Sequence, residues 1–241
     1  MCLSKLCQKN KLSTKSFYIN KNILLITVFS LIACALHALI LYKQFNNYVC
    51  TSVFKIIIFL LCPLIYFVVS KDDEFKNMFS FKGDKENIKK SFLLGLMVFL
   101  FIVFLYVVLR SFLDKAMIIN ALSNVGITAG NFFLVFLFII FINATLEEIF
   151  FRGFIFFTIY KMNKKLYAYI YSSLLFAFYH VPVVINSMSI GLLIFCVIGL
   201  VIAGLIFNEL VRRCKSIIGS IIVHIGANLA INLIVMYHVY I

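Results

Sequence analysis

Glu147 and Glu148 stand side by side in an apolar, Phe-rich run that extends from Phe132 to Phe157, with Arg152 close behind them. A carboxylate at bilayer depth costs about 2.5 to 3.5 kcal/mol on insertion scales and persists where it faces a protein interior, a partner or a water-filled cavity. The other acidic residues lie elsewhere. Asp72, Asp73, Glu74, Asp84 and Glu86 share one hydrophilic stretch, Asp114 follows a hydrophobic segment, and Glu209 ends another. Three further polar groups of catalytic type sit in later apolar runs: His180, His224 and Asn228.

Spacing on a helix sorts these groups. Glu148 and Arg152 are four residues apart and share a face, whereas Glu147 is turned by about 100° and points elsewhere. One carboxylate can be tied to the arginine while its neighbour stays free. His224 and Asn228 are again four apart, with Ser220 and Asn232 continuing the same stripe, and Phe176 and His180 form a third such pair, with Pro182 expected to close the helix just beyond. The chemistry these types support is peptide-bond hydrolysis. A desolvated Glu is a plausible base toward a trapped water, with a His to share the proton. A second His and an amide can donate to the oxyanion that forms when water adds to the carbonyl. The same atoms allow another reading, because two His and one Glu (Glu147, His180, His224) also make a catalytic zinc set. Neither an H-E-x-x-H nor a G-x-S-x-G element is present.

The elements that must position these groups are membrane spans. The chain has 241 residues of which 64% are hydrophobic, and its mean hydropathy is +1.09. That composition excludes a soluble globular protein. Apolar runs near 23–42, 53–69, 91–112, 131–158, 166–185, 190–208 and 217–237 approach the length of about 20 residues that crosses a bilayer core. Spans must satisfy their backbone internally and no strand-like alternation is seen, so the expected fold is an all-α, polytopic helical bundle of about seven transmembrane helices. The fourth is long enough to tilt, or to break near Gly153. No soluble domain or repeat is evident, so 1–241 reads as a single membrane domain in which 131–235 carries the motif helices. Seven scattered cysteines form neither a disulfide framework nor a C-x-x-C pair.

Charge sets the orientation. The net charge of +13 comes largely from lysines and arginines in the N-terminal tail, the 70–90 loop and the turns near 159–166 and 209–216, while the alternate connections are nearly free of them. By the positive-inside rule the N-terminus is cytoplasmic and the C-terminus external, in a multi-pass protein of the cell membrane. The same placement argues against a nucleic-acid partner, since no folded basic face is implied. Counting about 1.5 Å per residue from the basic turns places Glu147, His180 and His224 in one layer between the cytoplasmic face and the midplane. They are therefore expected to line one cavity with Asn228.

Read together, Glu147 to Arg152 gives E-E-x-x-x-R, Phe176 to His180 gives F-x-x-x-H, and His224 to Asn228 gives H-x-x-x-N. In that order, on successive late helices, these motifs resemble the CAAX protease and bacteriocin-processing family of intramembrane endopeptidases. The resemblance spans about 131 to 235 and leaves the first 130 residues without a signature. It implies that Glu147 activates water with His180, that His224 and Asn228 stabilise the oxyanion, and that Glu148, Arg152 and Phe176 support the site. It also implies a metal-free mechanism with no cofactor, zinc being the alternative. The expected partners are the lipid bilayer and a membrane-associated peptide or protein, more plausibly a pheromone precursor, bacteriocin leader or membrane-protein tail than a prenylated protein. The site is expected to open toward the cytoplasm.

Two other function classes fit parts of the pattern. A bacteriocin-immunity or regulatory scaffold of the same fold would keep the helices without turnover. A proton-coupled transporter would use embedded Glu and His as a relay, but no inverted repeat or pair of Gly/Pro-interrupted spans is found. His37, with no acid nearby in its own span, His238 at the end of the last span and Arg110 read as packing, interfacial or snorkelling residues.

Overall fold

A computed structural model describes residues 2–42, 47–70, 82–112, 115–185 and 188–240. Asp72, Asp73 and Glu74, with Lys71 and Lys76 of the same loop, and Asp114 lie outside the described residues. Among the described residues the long helices are, in order, α1 (Cys2–Tyr42), α2 (Tyr48–Ser70), α3 (Lys85–Leu109), α4 (Lys115–Asn124), α5 (Phe132–Lys161), α6 (Lys165–Val184), α7 (Ile190–Cys214) and α8 (Ile218–Tyr240). All but α4 are long and apolar enough to cross a membrane, which makes seven among the described residues, and no strand occurs among them. The protein is a multi-pass, all-α membrane protein.

Helix α5 is the central pole of the bundle. Phe133, Leu134, Phe141 and Ile142 stay exposed on the bundle surface, while α2, α6, α7 and α8 pack against the helix over Phe138–Phe157. From Glu148 to Phe156 every residue is buried. Phe150, Phe151 and Phe154 pack with Phe59 and Tyr66 of α2 as tilted, edge-on and stacked rings, with Phe59 and Phe150 stacked at 4.1 Å. Such ring pairs add about 0.5 to 1.5 kcal/mol each beyond area burial. The helix does not break at Gly153. It stays continuous, but its winding loosens into π turns at Phe138–Asn143 and at Glu148–Phe157, a form concentrated at functional sites.

Two ends differ from the sequence expectation. Helix α7 does not stop near residue 208 but runs to Cys214, because Glu209 pairs with Arg212 and Arg213 one turn on, at 2.6 Å each, and lets the helix continue past its apolar stretch. Lys215, at φ 54°, then ends it. Helix α3 starts inside the basic loop, at Lys85, where Asp84 accepts from the Asn87 amide at 2.8 Å as an N-cap. Helix α6 passes through Pro182 to Val184. A proline in the last turn sacrifices only one backbone bond, and the Ile185 amide still donates to Val181 at 2.9 Å.

Small residues let the outer helices approach. A Cβ on Gly226 of α8 would lie 2.6 Å from the Gly95 carbonyl oxygen of α3, so the two backbones meet glycine to glycine. The basic connections gather at one end of the bundle, where the Asp84 amide donates to Cys214 at 2.8 Å and Tyr169 donates to Glu209 at 2.7 Å. At the other end α4 and the turn after it pack Ile127 against Phe132 and Val135, and Tyr240 donates to the Ala129 carbonyl at 2.7 Å.

Candidate active site

Within this frame α5, α6 and α8 bring three of the sequence-selected residues to one point. Glu147 is 2% exposed, and its Oε2 lies 3.6 Å from His180 Nε2 and 3.7 Å from His224 Nε2. Both separations exceed hydrogen-bond length, and Glu147 Oε2 has no hydrogen-bond partner among the described residues. The tautomer of each ring follows from its other nitrogen. His180 Nδ1 donates to the Phe176 carbonyl at 2.7 Å, and His224 Nδ1 donates to Glu148 Oε1 at 2.9 Å. Both partners are acceptors, so each Nδ1 carries a proton and each Nε2 is the atom turned toward Glu147.

Glu148, Arg152 and Phe176 form the support beneath. Arg152 NH1 donates to Glu148 Oε1 at 3.1 Å, and both side chains are fully buried. The guanidinium lies 4.1 Å from the Phe176 ring centroid and 4.8 Å from that of Phe207, in cation–π contact with both. Phe207 stacks on His224 at 5.2 Å, and Phe176 meets the same imidazole edge-on at 5.9 Å. The rings thus hold His224 from two sides while Glu148 fixes its rotation.

Asn228 sits one turn beyond His224 on α8, and its Nδ2 donates to the Ile139 carbonyl at 3.2 Å, in the first π stretch of α5. That bond uses one of the two amide hydrogens and leaves the other. Asn232 in turn donates to the Asn228 carbonyl at 2.8 Å.

The other oxygen of Glu147 is not free, contrary to the sequence expectation. Lys55 of α2, 7% exposed, places Nζ 2.6 Å from Glu147 Oε1. Asn143 Nδ2 donates to the same oxygen at 2.9 Å, and the Tyr179 hydroxyl donates at 3.3 Å. His37 Nε2 lies 3.3 Å from that hydroxyl, so α1 also reaches the site. None of these four was selected from the sequence as a site residue. The signal for Lys55 was a lone cation inside an apolar run; with that run read as starting near residue 53, it stood at a helix end, where lysines commonly face water. Lys55 lies roughly 10 Å along α2 from its start and His224 roughly 9 Å along α8 from its start. These starts are at opposite ends of the bundle, so the cluster lies mid-bundle.

Two imidazole nitrogens and a carboxylate oxygen converge here, the ligand types of catalytic zinc sites. Among the described residues no group of three or more His, Cys, Asp and Glu is arranged to hold a metal ion. The Lys55 ammonium already neutralises the one anionic ligand such an ion would take from this set.

Neither the curated proteins nor the solved structures contain a match to the chain. Residues 129–230 match the family model described as Rce1-like, type II CAAX prenyl endopeptidase Rce1-like. All three motifs fall inside the match, and α1 to α4, including His37 and Lys55, fall outside it. The segment 129–230, with the motif residues that the fold gathers within it, is similar to the Rce1-like type II CAAX prenyl endopeptidase family.

Proposed function

We propose that the protein is an intramembrane endopeptidase that hydrolyses a peptide bond of a membrane-associated substrate with water activated by Glu147, without a metal. The observation that carries this reading is Glu147 Oε2, buried, unpartnered and facing two imidazole nitrogens at 3.6 and 3.7 Å. A water hydrogen-bonded at about 2.8 Å to both Oε2 and His180 Nε2 spans the gap between them. Glu147 and His180 share the proton taken from it as its oxygen adds to the scissile carbonyl. The carbonyl π pair moves onto oxygen, where the remaining Asn228 amide hydrogen donates, together with His224 Nε2 when that ring carries both protons. Collapse of the tetrahedral intermediate breaks the C–N bond, and the shared proton passes to the leaving amine. Glu148, Arg152 and Phe176 hold the imidazoles in register and touch no reacting atom.

The test is turnover of a panel of membrane peptides by the purified protein in lipid vesicles. Glu147→Gln keeps shape and removes the proton acceptor, so turnover should fall by about 10² to 10⁴ in protein that still folds, with a lower unfolding temperature because the buried Lys55 ammonium loses its counter-charge. Exhaustive chelation should leave wild-type turnover intact. Equal turnover in Glu147→Gln and wild type would remove Glu147 as the base, and no turnover by either, with the cellular phenotype kept in both, would make the protein a scaffold. Loss of activity on chelation, restored by Zn²⁺, would overturn the metal-free reading and make His180 and His224 ligands.

A further inference from the structure

The two oxygens of Glu147 have opposite surroundings. Oε1 receives the Lys55 ammonium at 2.6 Å, the Asn143 amide at 2.9 Å and the Tyr179 hydroxyl at 3.3 Å, whereas Oε2 receives no donor among the described residues. Three donors occupy the accessible lone-pair directions of Oε1, so that oxygen cannot also take a proton from water. A carboxylate held by one oxygen can still swing about its last torsion, unless the donors on that oxygen are themselves fixed. Here they are. Lys55 also donates to Asn143 Oδ1, closing a ring of hydrogen bonds through Lys55, Asn143 and Oε1. The ammonium lies 5.0 Å from the Tyr179 ring centroid and 5.5 Å from that of Phe59. Tyr179 is in turn backed by His37, whose ring meets it edge-on at 5.1 Å.

We infer that Lys55 is a positioning residue of the reaction: with Asn143 and Tyr179 it anchors Glu147 through Oε1, so that Oε2 alone is presented as the base. The inference rests on the proposed role of Glu147. Its specific content is that α1 and α2, which lie outside the segment shared with the endopeptidase family, complete the site, and that a buried ammonium compensates the charge of the base in place of a cation of another kind. Lys55 touches no reacting atom. Its loss should therefore lower kcat and leave substrate affinity nearly unchanged, because a base displaced by about 1 Å costs roughly 10²-fold in rate.

The experiment compares wild type, Lys55→Met, Lys55→Arg, Tyr179→Phe and Glu147→Gln in lipid vesicles, with kcat, KM and thermal unfolding measured for each. Lys55→Met should lower kcat by about 10²-fold with KM within twofold, roughly, of wild type, and Lys55→Arg, which keeps a cation on Oε1, should recover part of that loss. Tyr179→Phe removes one donor without removing charge and should lower kcat by about fivefold. A folded Lys55→Met with wild-type kcat overturns the inference, as does a loss expressed only in KM. Should Lys55→Met fail to fold, Tyr179→Phe decides: an unchanged kcat overturns the anchoring of Oε1, and a reduced kcat at unchanged KM supports it. Glu147→Gln separates the two levels, since wild-type turnover in that variant refutes the role of Glu147 as the base, whereas its inactivity beside a fully active Lys55→Met refutes only the role of Lys55.

Discussion

Replacing Arg152 with Met leaves the Glu148 carboxylate in the centre of the bundle without its counter-charge. Both side chains are fully buried and joined by one bond of 3.1 Å. Breaking such a pair from one side costs about 3 to 5 kcal/mol, because the remaining charge has no solvent to return to. The guanidinium also stacks on Phe176 and Phe207 at 4.1 and 4.8 Å, which adds about 1 to 2 kcal/mol in a desolvated setting. Arg152→Met should therefore destabilise the fold by roughly 4 to 7 kcal/mol. The double variant Glu148→Gln/Arg152→Met carries neither charge of this pair, retains a carbonyl acceptor for His224 Nδ1, and should recover at least about 2 kcal/mol of that loss. Reversible denaturant unfolding in mixed micelles, run as a double-mutant cycle, measures both quantities. A single-variant cost below about 1 kcal/mol, or losses that simply add, would refute the ion pair as the support of the site.

Asn228→Ala should lower turnover by about 10² to 10³ with little change in KM, and equal kcat in the two proteins would remove Asn228 from the oxyanion site. Gly226→Ala should cost about 1 to 3 kcal/mol of stability, since its Cβ would sit 2.6 Å from the Gly95 carbonyl, while Gly199→Ala, with nothing within 4 Å, should be silent in the same unfolding assay. Cysteine-accessibility labelling at Lys85 and Tyr240 should find them on opposite sides of the membrane, with Lys85 cytoplasmic; labelling from one side only would contradict a chain crossing seven times.

What the sequence by itself determined is local along a helix. Glu148 and Arg152, Phe176 and His180, and His224 and Asn228 are each four residues apart, so helical geometry alone sets them on common faces, and hydropathy and charge mark the spans that carry them. The ends were less legible: Glu209, Arg212 and Arg213 read as loop by charge, but their mutual pairing keeps α7 helical to Cys214. What only the tertiary structure decided is which groups face Glu147 from other helices. Lys55 precedes it by 92 residues and His37 lies 142 residues from Tyr179, separations over which periodicity carries no information. The winding of α5 was equally hidden, because residues 148–157 hold no proline to mark a change of winding. The sequence marks an embedded acid as costly, and the fold supplies the buried cation that makes it tolerable.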